Sequence, residues 1–140
     1  MPIKNYTTEI DAFRSIGEIQ GMLAGHGATK IMVDYESGHP VGVTFAIDTE
    51  HGVRGFSLPA NVDGVRAVLA KQRVKAKPDQ AERIAWRNVR DWVYAQMALI
   101  EAGQAQLDEV FLPYLTDRSG STLYEAYQRG CLAITGEAST

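Results

Sequence analysis

Arg83, Arg87, Arg90 and Tyr94 recur at i, i+4, i+7 and i+11, the spacing that lines one face of a helix. Guanidinium forks match phosphate oxygens bidentately, so a stripe of this kind suits a nucleotide or a nucleic-acid backbone. Just upstream, Lys71, Arg73, Lys75 and Lys77 alternate along a polar connector, "KQRVKAKPD". The eight residues together are the candidate ligand-binding set. Residues 64–90 hold eight of the 14 basic residues against Asp79 and Glu82 alone, a net +6 there and −9 in the remainder. A clustered field of that sign attracts phosphates. The same stripe also reads as a solvated helix back, its cations met by carboxylates such as Asp91 or Glu101.

Other chemistries are poorly supplied. His26, His39 and His51 fall at turns, with no HxH or HExxH spacing, and the lone Cys131 excludes an internal disulfide and a cysteine-based zinc site. No metal and no cofactor are expected. Asp34, Glu36, Asp48 and Glu50 lie towards strand ends and, with His51, could hold Mg²⁺ as a nuclease does, but no lysine follows at nuclease spacing. There is no nucleophile elbow, P-loop or GxGxxG; the glycines of "GMLAGHG" lack a strand-to-helix context. A non-catalytic protein is expected.

These side chains need elements to hold them. Residues 3–8 have strand character from Tyr6, Thr7 and Thr8. Ser15-Ile16-Gly17-Glu18 has the capping-box form, and Ile16, Ile19 and Leu23 follow at helical spacing until "GHG" stops the helix. The period then becomes two. Ile31, Val33 and Tyr35 alternate with Met32, Asp34 and Glu36; Val41, Val43, Phe45 and Ile47 make the cleanest strand; "VRGFSL" is a third, closed by Pro59. Asn61 caps a helix carrying Val62, Val65, Val68 and Leu69, and a long helix runs over residues 79–102 to Gly103. Pro113 breaks the apolar "LDEVFLPYL", Thr122 and Glu125 frame a last short helix, and residues 133–140 read as a flexible tail. The order predicts an α+β fold. A small, mainly antiparallel sheet (β-α-β-β-β) carries helices on one face, with a helical C-terminal third. One domain over 1–140 is expected, 1–60 mostly sheet and 61–132 mostly helical.

At 100° per residue, the apolar side chains of the long helix, Trp86 and Trp92 among them, spread over about 220°. The arginines fill the remainder. Both tryptophans thus read as core or subunit-interface residues rather than stacking platforms, with Trp92 near the middle of the face. An arc that wide exceeds what one sheet face covers, so a homo-oligomer is expected.

The chain has 140 residues, 45% apolar and 22% charged, with a net charge of −3, which suits one soluble domain. No apolar run reaches the roughly 20 residues of a membrane span, and "MPIKNYTTEID" lacks a signal peptide's apolar core. A cytoplasmic protein that begins near Met1, with no membrane partner, is the expectation.

Two resemblances follow from these segments. The order helix-strand-strand-strand-helix over residues 15–71 resembles the double-stranded-RNA-binding domain, with "GHPVGVTFAID" at that family's second-strand entry. The second helix of that family opens with a lysine cluster on phosphates, where this chain reads "ANVDGVRAVL". Across nearly its whole length the chain also resembles short hypothetical proteins of bacteriophages and prophages. "IKNYTT", "IGEIQGMLAGHGATKIMVDYE", "FSLPANVDGVRAVL", "QAERIAWRNVRDWVYAQMALIEAG" and "EVFLPYL" carry the likeness. That resemblance implies an accessory phage protein in the host bacterial cytoplasm, with no site residues to carry over. Three functions then stand in order. The first is a binder of a nucleotide or nucleic acid, with counter-defence as a possible use. The second is a protein-protein inhibitor of a host defence or DNA-metabolism enzyme, and the third a metal-dependent nuclease.

Overall fold

The period-two stretches pair into an antiparallel meander in the computed structural model, which describes residues 1–130; the expected tail at 133–140 and Cys131 lie outside the described residues. Strands β1 (Ala28–Glu36), β2 (His39–Thr49) and β3 (Gly52–Pro59) lie in the order β1-β2-β3. Ser37 and Gly38, both at positive φ, make the two-residue turn between the first two, which matches the right-handed twist of a hairpin. Alternation then divides the sheet. Val43, Phe45, Ile47, Phe56 and Leu58 are buried on one face, while Met32, Thr44 and Ser57 line up across the other. Phe45 stacks on Phe56 at 5.4 Å between centroids, and Phe111 meets Phe45 edge-on at 5.1 Å.

Helices α1 (Ala12–Gly25), α2 (Val62–Lys71) and α3 (Gln80–Glu101) are followed by a single turn, α4 (Leu107–Val110), a 3₁₀ turn at Leu112–Tyr114, and α5 (Leu123–Gln128). The fold is α+β, with a three-stranded antiparallel sheet. Two local expectations are corrected. Residues 3–8 form no strand; they turn, with hydrogen bonds from Tyr6 N to Ile3 O and from Thr8 N to Asn5 O. Three residues of strand propensity have no edge to pair with there, and side chains supply partners instead. Gln72 accepts from Ile3 N and donates to Met1 O, and Gln80 donates to the carbonyls of Tyr6 and Thr8. The second correction concerns the start of α1. Asp11 caps it, accepting from Phe13 N, so Ser15 lies inside the helix, fully buried. Thr122 and Glu125 do form the capping box expected for α5.

α3 is the central helix. Trp86, Val93 and Met97 point into the main core, and the Trp86 indole donates to Pro40 O. Ala81, Ile84 and Ala85 form a second cluster with Val65 and Leu69 of α2, against which Ile3 and Val74 pack. Trp92 faces Phe111 and Tyr114 on the β3 side, where Leu115 bridges to Phe56. α1 takes the opposite flank. The wide apolar arc is thus covered from several directions by one chain, so it does not call for a second subunit. The burial of the tryptophans also differs from expectation: Trp86 is fully enclosed and Trp92 half-buried.

Candidate functional site

The eight basic and aromatic candidates separate into two groups. Arg87 and Arg90 turn into the seam between α3 and α1. Arg87, with a side chain only 13% exposed, donates to Glu18 Oε2 and to Ser15 Oγ. Arg90 lies over the Tyr94 ring at 4.6 Å, donates to Asp91 Oδ1 at 3.2 Å, and holds its buried Nε 3.6 Å from Glu18. Asp91 in turn accepts from Lys4 at 2.8 Å and from Asn5 at 2.9 Å. Partial burial works against the charged form of Asp91, but hydrogen bonds from Lys4, Asn5 and Arg90 outweigh it and hold its pKa at about 2. The seam is an ion-pair network that joins the N-terminal arm, α1 and α3.

Asp91 is one of the two carboxylates expected to meet the stripe. Glu101 is the other, and it bonds His26 instead, tying the ends of α1 and α3 together. Sequence reasoning misses Glu18 and Ser15 as partners. Nothing local marks them, because both resemble parts of a helix cap.

The second group remains free. Lys71, Arg73, Lys75 and Lys77 are exposed, and among the described residues none has a carboxylate within ion-pair distance. Arg73 sits at φ 56° in the tight reversal after α2, where Val74 N bonds Leu69 O. The chain then crosses to α3 and lies beside the N-terminal arm. Between the arm and this connector is an open cleft of about 270 Å³. Lys75, Lys77 and Arg83 line one wall, and Tyr6, Thr7, Thr8 and Glu9 line the other. Arg83 is partly held by Asp79 at 3.0 Å. Tyr6 is 40% exposed, an aromatic face beside free cations. The arm's share of this cleft has no signal in the sequence, since some 70 residues separate its two walls.

The acidic residues do not assemble as a nuclease would need. Asp34 pairs across from Gly42 and Glu36 from His39, at one end of the β1–β2 hairpin, while Asp48 and Glu50 lie at the other. Gly42 and Asp48 are six steps apart along β2, about 20 Å at the usual strand rise. One metal cannot bridge that distance, and Asp34 already accepts from the Thr44 hydroxyl at 2.8 Å. The two ends border separate grooves. One, of about 660 Å³, gathers Glu36, Glu82 and the Asp63–Arg66 pair around His39; the other, of about 480 Å³, gathers Asp48, Glu50 and Asp108 near His26 and His51. Among the described residues no three metal-ligating side chains converge, and no helix is long and apolar enough to cross a membrane.

No protein-family model, curated protein or solved structure matches the chain.

Proposed function

We propose that the protein binds a phosphate-bearing ligand, the backbone of a single-stranded nucleic acid, along the connector and its cleft. Lys71, Arg73, Lys75 and Lys77 are the residues that neutralise phosphates, and Tyr6 offers a ring on which a base stacks. The observation that carries this reading is the contrast between the two groups of cations. Arg87 and Arg90 are consumed by Glu18 and Asp91, whereas the connector cations have no partner among the described residues. Drawing an already paired arginine onto a phosphate would break a network, whereas a free lysine that neutralises a phosphate breaks no ion pair and releases counterions condensed on the nucleic acid. The cleft is open and smaller than the enclosed pockets that hold small molecules, which favours a chain lying across it over a nucleotide sealed within it. The setting suggested by the phage-like segments is an accessory role in a host bacterium, with counter-defence among the possible uses.

The test is fluorescence anisotropy with a labelled single-stranded oligonucleotide over a range of salt. Four phosphate contacts give a slope of log K against log salt of roughly −3, and changing all four connector cations to Gln flattens it. Binding that ignores both salt and the fourfold change would remove this reading. A protein-protein contact would then take its place, using the groove around Glu36 and Glu82, where Arg66 already holds Asp63, to engage a basic host surface.

A further inference from the structure

β1 is an edge strand. Its inner side pairs with β2, and among the described residues no main-chain group bonds its outer side. A long unpaired edge is a template for another strand unless the chain blunts it. Pairing with β2 is uninterrupted only from Lys30 to Asp34, with an irregularity at each end. That regular run, "KIMVD", is self-complementary when a second copy is laid antiparallel and centred on Met32. Lys30 then faces Asp34 of the second copy, Ile31 faces Val33, and Met32 faces Met32.

The side chains are suited to those meetings. Lys30 and Met32 are exposed on the open face of the sheet, Met32 at 58%, and Lys30 has no ion-pair partner among the described residues. Asp34 shares that face, since Lys30, Met32 and Asp34 stand opposite Ala46, Thr44 and Gly42. Its Oδ2 accepts from Thr44, which leaves the other oxygen for a cation. Ile31 and Val33 are only partly covered by the core of their own chain.

Five residues of strand pairing fall short of the roughly 1,200 Å² in total that a stable interface buries. The neighbouring flank of α1 adds to it. Glu18 and Ser15 mark the side of α1 that meets α3, and Phe13, Gln20 and Ala24 lie on the flank away from it, on a helix that itself packs on β1. Phe13 is 55% exposed, and a Cβ added at Gly17 beside it would meet nothing within 4 Å. Extending the sheet across β1 brings two such flanks together on one face.

We infer that the protein forms a two-fold dimer through β1, joining two three-stranded sheets into one of six strands. The proposal stands apart from the ligand reading, whose connector lies elsewhere.

Sedimentation velocity at micromolar concentration tests it, with circular dichroism confirming that each variant folds. Wild type is expected to sediment as a dimer. Lys30→Glu and Asp34→Lys each place like charges face to face twice and weaken association by about tenfold, whereas the double reversal restores the pairs and the dimer. Met32→Cys combined with Cys131→Ser is expected to cross-link under mild oxidation, because directly opposed residues on paired strands bring their Cα atoms within disulfide reach. A monomeric wild type overturns the proposal, whether the edge is then bare or covered by something else. So does a dimer that both single reversals leave intact, or a double reversal no better than either single one. Should Asp34→Lys fail to fold without its Thr44 bond, Lys30→Glu and the Met32→Cys cross-link decide alone.

Discussion

Arg87 and Lys75 carry the same charge in opposite circumstances. Removing the Arg87 guanidinium leaves the half-buried Glu18 carboxylate with only Arg90 Nε, 3.6 Å away, and the Ser15 hydroxyl enclosed without that donor. Arg87→Gln is therefore expected to destabilise the fold by about 1–3 kcal/mol in chemical denaturation. Lys75→Gln is expected to stay within about 0.5 kcal/mol of wild type, as surface changes usually do. Equal effects would mean that the seam is not the network described. Asp91 gives a second residue-scale prediction. Its folded pKa, about 2, lies below its ordinary value of 3.8, so its contribution is present above that ordinary value and is lost as pH falls through the folded one. Thermal melts should show wild type losing stability between about pH 4 and pH 2 more steeply than Asp91→Asn, which has no such carboxylate to protonate.

At the scale of elements, α3 separates its two tryptophans. Trp86 is enclosed and its indole satisfies Pro40 O, so Trp86→Ala opens a cavity and strands a carbonyl. A loss of about 3–5 kcal/mol is expected. Trp92 touches Phe111 and Tyr114 from a half-buried position, and its truncation should cost distinctly less in the same urea titration. α1 presents the opposite situation. Gly21 sits in mid-helix, exposed, with nothing within 4 Å of an added Cβ. Gly21→Ala should raise stability by roughly 0.5–1 kcal/mol through lower chain entropy in the unfolded state. A lower melting temperature for that variant would show that something outside the single chain needs the space.

Across the whole molecule, the N-terminal arm closes the fold. Ile3 fills the second cluster between α2 and α3, and the arm is fastened by Lys4 and Asn5 to Asp91 and by Gln72 and Gln80 to its main chain. Deleting residues 1–8 should lower the melting temperature and, by removing one wall of the cleft, weaken oligonucleotide binding as well. A truncated protein with unchanged melting and binding would dissociate the arm from both roles. The arm is tied to α3 both at the ion-pair seam and through Gln80 beside the cleft, so stability and ligand access are coupled through those contacts rather than within one element.

Elements that depend on near neighbours are legible in the chain alone. Period-two burial set out β1, β2 and β3, Asn61 and Thr122 capped their helices through groups three residues on, and Gly103 ended α3 at positive φ. Tertiary structure decided what the charges do. The stripe of Arg87 and Arg90 looks the same on a helical wheel whether it faces solvent, a ligand or α1, and only the packing of α1 brings Glu18 against it. Tyr6 and Lys77 likewise come together only because the arm folds back across α2 and α3. Propensity acts over a few residues, whereas a carboxylate's partner and a cleft's second wall are fixed by whichever distant segment the core draws alongside.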